Sequence, residues 1–197
     1  MTGAASSSQP TSATAPPSIG PVVVAEEPYG ETDAHVLVDL MTADVERRYA
    51  GVDEHDGRFD PGPDARPAPP ALAPGDPGWA VTAEQVTRPH GLFAVARIDG
   101  RPVGCAALRR LPGGPDDVGE VKRVYTSEAA RRRGVARALL DHLVAEAPGL
   151  GTRRLVLESG TRQPEALAFY EGAGWHPVVP YGEYAGSTSS RCFGLDL

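Results

Sequence analysis

The segment with the strongest chemical character runs from Glu120 to Ala136, EVKRVYTSEAARRRGVA. A β-branched run ends near Thr126, a short loop follows, and an apolar helical stripe begins just after Gly134. The start of a helix leaves backbone N–H groups without intrahelical partners and carries the positive end of the helix dipole. Such an end binds anions, phosphate and pyrophosphate above all. Gly134 lets a ligand approach the backbone closely, and Ala136 keeps the first turn open. Arg131, Arg132 and Arg133 add positive charge there in an otherwise acidic chain. The composition points to a phosphate-bearing ligand. A solvated arginine run is the plain alternative, although cations are unfavourable at a helix start. A Walker-type G-x-x-x-x-G-K-S/T loop, the mark of a different phosphate binder, is absent from the sequence.

Periodicity and punctuation predict the elements that hold this segment. PVVVAE at 21–26 reads as a strand. Thr32 to Ala50 reads as a helix with Val36, Leu37, Leu40, Met41, Val45 and Tyr49 as its apolar stripe and Thr32 or Asp33 as its cap. A short helix is expected near Thr82 to Val86. Gly91 to Ile98 and Pro102 to Leu111 flank Asp99-Gly100, a strong hairpin signal. Asp117 to Thr126 reads as a third antiparallel strand, and a helix follows over about 133–147 until Pro148-Gly149 ends it. Arg153 to Glu158 is a strand. Gln163 to Ala173 is a helix with Pro164 at its first position and Gly174 as its stop. Two last strands fall at 175–179 and 191–197. Three consecutive strands followed by a β-α-β crossover predict a mixed α/β sheet, mostly antiparallel and flanked by helices.

In that frame the chemistry-bearing segment resembles a known family. Arg131-x-x-Gly134-x-Ala136 is similar to the R/Q-x-x-G-x-G/A acyl-CoA signature of the GNAT superfamily of N-acetyltransferases. It follows a strand and opens an amphipathic helix, and a second strand, LVLE, comes about twenty residues later. Gln163-x-x-Ala166-x-x-Phe169-Tyr170-x-x-x-Gly174-Trp175 resembles the family's N-x-x-A-x-x-F/L-Y-x-x-x-G-F/W segment, with Gln163 in place of Asn. Ala136 stands where Gly is commoner.

The resemblance implies a GNAT-like acyl-CoA N-acyltransferase fold and transfer of an acetyl group from acetyl-CoA, as cosubstrate, to a primary amine in a ternary complex. It implies that the amides of Arg131, Arg132, Arg133, Gly134, Val135 and Ala136 hold the pyrophosphate. It also implies that Val124, Tyr125 and Thr126 line the pantetheine arm, and that Gln163 contributes a cofactor contact. Tyr170 falls at the position of a general acid, and a phenol with an ordinary pKa of about 10 is protonated at neutral pH. Packing on the helix stripe is its structural alternative. Glu120, eleven residues before Arg131, falls at the position of a base acting directly or through water. Its structural alternative is a cross-strand salt bridge; Lys122, two residues along the same strand, could also pair with it and keep its pKa low, which is poor for a base. Glu120, Lys122 and Val124 share one face of a regular strand, and a bulge would change the parity after it. In the last inter-strand loop, PYGEY offers Tyr181, Glu183 and Tyr184 as one wall of an acceptor pocket, since carboxylates and aromatic faces attract cations. The implied acceptor is a small amine or amino-acid-like molecule. A peptide or protein amine and a non-catalytic acyl-CoA-binding regulatory module are the alternatives.

Composition bounds the remaining possibilities. The chain has 197 residues, 19 basic and 26 acidic, for a net charge of −7. That balance argues against general nucleic-acid affinity, which rests on neutralising phosphates. Gly and Pro make up about 22% of the chain, against roughly 12% on average. Much of the excess lies in 56–80, with seven Pro and four Gly in 25 positions, and in a charge-free Ser/Thr/Pro/Ala-rich stretch at 1–20. The latter reads as a disordered tail. The domain is expected over 21–197, with an insertion loop at about 51–80 that opens on Asp53-Glu54-His55-Asp56, a cluster beside the pocket or simply solvated. Two cysteines without metal spacing point to a reduced, cytoplasmic setting. Five dispersed histidines and the two cysteines predict no metal, and no apolar run suits a membrane. A monomer or homodimer is expected.

Overall fold

Asp99 and Gly100 both adopt positive φ, 51° and 75°, as a two-residue Asp-Gly hairpin turn requires. The turn joins β2 (Gly91–Ile98) to β3 (Arg101–Arg110). These two strands centre a seven-stranded sheet in the computed structural model, which describes residues 20–50 and 80–197. The expected tail and most of the Pro-rich insertion, including Asp53 to Asp56, lie outside the described residues.

The order along the chain is β1 (Val22–Glu26), α1 (Thr32–Tyr49), β2, β3, β4 (Val118–Thr126), α2 (Val135–Glu146), β5 (Arg154–Gly160), α3 (Pro164–Gly172), β6 (His176–Val178) and β7 (Ser190–Asp196). Strand order across the sheet is β1-β2-β3-β4-β5-β7-β6. Only β4 and β5 pair in parallel. The α/β order read from periodicity matches this, with element ends differing by one or two residues.

Three local expectations differ. The stretch around Thr82 is a turn, with Thr82 and Gln85 bonded to each other's side chains, and not a helix. Among the described residues, no side chain caps α1. Its N-cap is Glu31, and Asp33 pairs instead with Arg97 at 2.5 Å. The α1 stripe is also narrower than its spacing suggests. Ala34 and Leu37 are buried, while Val36 and Leu40 are each 47% exposed.

The sheet is covered on both faces. On one, Val135, Leu139, Leu140 and Leu143 of α2 pack with Tyr170 and Trp175 onto Leu92, Ala106, Val121, Leu157 and Phe193. On the other, Ala34 and Leu37 of α1 meet Phe93, Val95, Cys105 and Ala107. A third cluster under the last loop joins Val118, Val156 and Cys192 to Tyr181 and Tyr184.

Candidate active site

The site begins where two strands part. β4 and β5 pair only over Val118–Val121 and Arg154–Leu157. Beyond that, β4 stays with β3 as far as Thr126, and β5 stays with β7 as far as Gly160. A bulge accompanies the parting. Between Lys122 and Tyr125 the β3–β4 register slips, and Arg123 takes φ 57°. Parity changes there: Val121 and Val124 both pack toward the α2 face, and Tyr125 toward the α1 face. The V-shaped gap opens two cavities that share Val124, Gln163 and Tyr170.

The first cavity, about 560 Å³, is lined by Val124, Tyr125, Thr126, Arg131, Arg132, Gly134, Val135, Ala136 and Gln163. Nine of the ten residues expected at the cofactor therefore surround one space; Arg133 is not on its wall. Gly134 caps α2 with φ 79°, and Arg132 before it sits at φ 62°. Non-glycine residues occupy that region at a cost and gather at functional sites. A Cβ added to Gly134 would meet no atom within 4 Å, so the space above it is open. Among the described residues, no backbone carbonyl accepts from the N–H groups of residues 132–137; the first helical bond is Ala138 N–H to Gly134. Open N–H groups at a helix start with free space above them suit an anion, and the residues present fit a pyrophosphate.

The second cavity, about 710 Å³, is lined by Met41, Val45 and Tyr49 of α1, Lys122 to Val124, Glu158 to Gln163, Tyr170, Tyr184 and the start of β7. This accounts for part of the α1 stripe: its C-terminal apolar residues face a cavity, not the core. Burial pushes the Glu158 carboxyl above its ordinary value, opposed by a hydrogen bond with Ser190 and by the charge of Lys122. Ser190 in turn accepts from Ser187 at 3.1 Å. Burial likewise lowers the Lys122 ammonium, which donates to the Tyr184 hydroxyl and sits 5.1 Å from its ring centroid. Tyr170 is 5% exposed and packs against Phe169, Trp175 and Phe193. It nevertheless lines both cavities, and burial, then Glu158, raises its phenol well above the ordinary range. Tyr170 thus both packs in the core and borders the two cavities.

Glu120 lies elsewhere. It is fully buried, lines neither cavity, and pairs across strands with Arg109. Arg109 reaches its Oε2 from Nη2 at 2.7 Å and Nε at 2.9 Å, and the Tyr181 hydroxyl donates to Oε1 at 3.1 Å. Lys122 Nζ is 3.8 Å away. Arg109 also donates to the Ala80 carbonyl at 2.7 Å and to Gln85 at 3.0 Å, tying the turn before β2 to the sheet. Of the expected acceptor residues, Tyr184 lines the second cavity, Tyr181 is buried beneath it, and Glu183 is exposed and off its wall. Glu158 escaped the sequence reading; the available signal was a carboxylate closing the apolar run RLVLE. Asp44 of α1 also escaped it. This residue pairs with Arg131 at 3.1 Å and Arg48 at 3.0 Å, and Arg48 reaches Glu165 of α3 at 2.6 Å.

Comparison with known proteins agrees with this architecture. The family model described as "Acetyltransferase (GNAT) family" matches residues 61–175. An IAA acetyltransferase from Azospirillum brasilense is 33% identical over 114 residues, covering 57% of this chain and 72% of that protein. The N-alpha-acetyltransferase RimI of Mycobacterium tuberculosis is 34% identical over 106 residues, 53% of this chain and 65% of that one. Among solved structures, a GNAT-family acetyltransferase from Staphylococcus aureus superposes with a TM-score of 0.60 at 16% identity, covering 90% of this chain and 99% of that one. Another from Elizabethkingia anophelis, with acetyl-CoA bound, superposes with a TM-score of 0.53 at 13% identity, covering 89% and 98%. The chain belongs to the GNAT acetyltransferase family and is an acetyl-CoA-dependent N-acetyltransferase.

Proposed function

We propose that the enzyme acetylates the primary amine of a small or amino-acid-like molecule by direct attack within a ternary complex. The observation that supports this reading is the junction of the two cavities. An anion cradle and a pocket holding a carboxylate of raised pKa meet at Val124, Gln163 and Tyr170.

Acetyl-CoA, when bound, supplies the thioester carbonyl and the thiol leaving group. The chain supplies the rest. The amides of 131–136 and the Arg131 and Arg132 side chains take the pyrophosphate. The open edge of β4 at Val124, Tyr125 and Thr126 would hold the pantetheine arm, and the Val124 amide would supply a donor for the negative charge that develops on a thioester carbonyl. Gln163 stands between the two cavities. Glu158 takes the proton from the incoming amine; a carboxyl of raised pKa is matched to that work near neutral pH. Lys122 beside it disfavours a second ammonium, which helps the acceptor lose its proton. Tyr170, kept protonated by burial, donates to the leaving thiolate. Glu120 is the base in the resemblance, but its oxygens are committed to Arg109 and Tyr181, so it serves as a positioning residue for the Tyr181–Tyr184 wall.

A second reading, acetylation of a peptide amine, draws support from the similarity to RimI. A purely regulatory acyl-CoA binder has no need of Glu158 and Tyr170 at the junction. No described helix is long and apolar enough to cross a membrane, and two free buried cysteines suit the cytoplasm. The test is thermal melting with acetyl-CoA and CoA, followed by CoA release over a panel of small amines and short peptides. At a hundredfold excess over Kd, binding adds about 2.7 kcal/mol, a Tm rise of about 5–10 °C. Acetylation of small amines in preference to peptides is expected. Exclusive use of peptides would establish the second reading, and binding without any turnover would favour the regulatory one.

A further inference from the structure

Helix α1 carries an apolar row in steps of four, Leu37, Met41, Val45 and Tyr49. Residues four apart on a helix are neighbours on one face. Leu37 is buried in the core cluster with Phe93 and Val95. The other three are half-buried, belong to none of the apolar core clusters among the described residues, and line the second cavity. The row therefore leaves the core and ends as one wall of the site. Tyr49 is fixed there, because its hydroxyl accepts from the Arg162 backbone N–H at 3.3 Å and lies where a Gly160 side chain would stand. Met41 adds an unbranched thioether that adapts to the shape beside it. The rest of the wall is of another kind. Glu158 of β5, Lys122 of β4 and Tyr184 of the last loop present a carboxylate, an ammonium committed to the Tyr184 hydroxyl, and a phenol. At about 710 Å³ the cavity has small-molecule size. It is apolar along α1 and polar along the sheet. Covering apolar surface is favourable in proportion to its area. An acceptor whose amine is flanked only by hydrogen or polar groups leaves the α1 row uncovered.

We propose that the acceptor carries an apolar side chain, branched aliphatic or aromatic, within a few bonds of its amine, and that Met41, Val45 and Tyr49 cover that side chain while the amine faces Glu158 and Tyr170. The proposal rests on the acetyl-transfer reading of the same site. It makes these three residues of α1 specificity determinants, and it disfavours acceptors whose amine stands beside hydrogen or a polar group.

The test measures CoA release at saturating acetyl-CoA for four amides that share one α-amine: glycinamide, L-asparaginamide, L-leucinamide and L-phenylalaninamide. Leucinamide and asparaginamide have nearly the same shape, so comparing them separates apolar character from size. A hydrophobic pocket discriminates by about tenfold or more for each group it covers, so kcat/KM for leucinamide or phenylalaninamide should exceed that for glycinamide and for asparaginamide by at least about that factor. Val45→Thr and Met41→Gln, close to the parent residues in shape, should each shrink the leucinamide-over-asparaginamide ratio, and together shrink it further. The amide series on the parent protein decides the matter even where a replacement folds poorly. Glycinamide or asparaginamide used as well as leucinamide, or a ratio that survives both replacements, would overturn the apolar subsite and leave acetyl transfer standing. A gain from butyryl-CoA over acetyl-CoA that the same replacements remove would assign the α1 row to an acyl chain and overturn the proposal in another way. No turnover of any amide by a protein that still melts higher with acetyl-CoA would overturn both the subsite and the acetyl-transfer reading.

Discussion

At the residue scale, two glutamates on the neighbouring parallel strands β4 and β5 have opposite surroundings. Glu120 sits in a saturated ion pair, and Glu158 faces a cavity with its carboxyl pKa raised by burial. Glu158→Gln should lower kcat by about 10²–10⁴-fold, the usual worth of a positioned base. It should also remove the acid limb of the pH–rate profile, a limb centred above the ordinary carboxyl value of 4.5. Glu120→Gln should instead register in stability, because it leaves buried Arg109 without its counter-charge. A loss of about 3–5 kcal/mol is expected, a Tm fall on the order of 10 °C, with the acid limb retained. A limb that vanished with Glu120 and persisted without Glu158 would exchange the two roles. Tyr170→Phe should lower kcat by about tenfold or more and leave acetyl-CoA affinity unchanged, as stopped-flow and equilibrium binding would read; an unchanged rate would reduce Tyr170 to packing. Sequence reasoning found Tyr170 because helix spacing and motif coincide on it. It left the partner of Glu120 open, because the pairing with Arg109 is set by the β3–β4 register, which residue spacing alone does not show.

At the element scale, the site follows from two strands that start as neighbours and separate. The bulge at Arg123 turns Val124 toward the α2 face, and the parting of β4 from β5 leaves room for a ligand arm beside it. The start of α2 borders the first cavity, and Gly134 caps it at φ 79°. Because a Cβ there meets nothing within 4 Å, Gly134→Val acts by opposing φ 79° and by filling the ligand's space, not by a clash within the protein. It should abolish the Tm rise produced by acetyl-CoA; an undiminished rise would place the pyrophosphate elsewhere. Helix α1 bridges the two cavities through Asp44 and Arg48 on one side and Met41, Val45 and Tyr49 on the other. Its periodicity was legible, but periodicity does not say whether an apolar face meets core or cavity.

At the scale of the whole molecule, β-α-β order, Asp99-Gly100 and the Arg131–Ala136 motif made the fold and the wall of the first cavity legible. Each is written in local sequence. The second cavity was not, because its wall combines α1, β4, β5, α3 and the start of β7, which meet only in the folded chain. The same convergence leaves a stability signature. The folded-state pKa of Glu158 is raised, so its burial costs nothing below its ordinary value of 4.5, where it is protonated in both states, and destabilises the fold as pH rises through the folded value. Glu158→Gln should therefore raise Tm near pH 8 relative to the parent, because the neutral amide carries no charge to desolvate. The difference should disappear near pH 4; equal melting at both pH values would mean that Glu158 is well solvated.

The central claim is direct transfer between two substrates held together in the β4–β5 gap. Initial velocities measured while varying acetyl-CoA at several fixed concentrations of an accepted amine test it most directly. The account predicts intersecting double-reciprocal lines and no acetyl group retained on the protein mixed with acetyl-CoA alone. Parallel lines, with the protein's mass raised by one acetyl group, would contradict it by revealing an acetylated enzyme on the path.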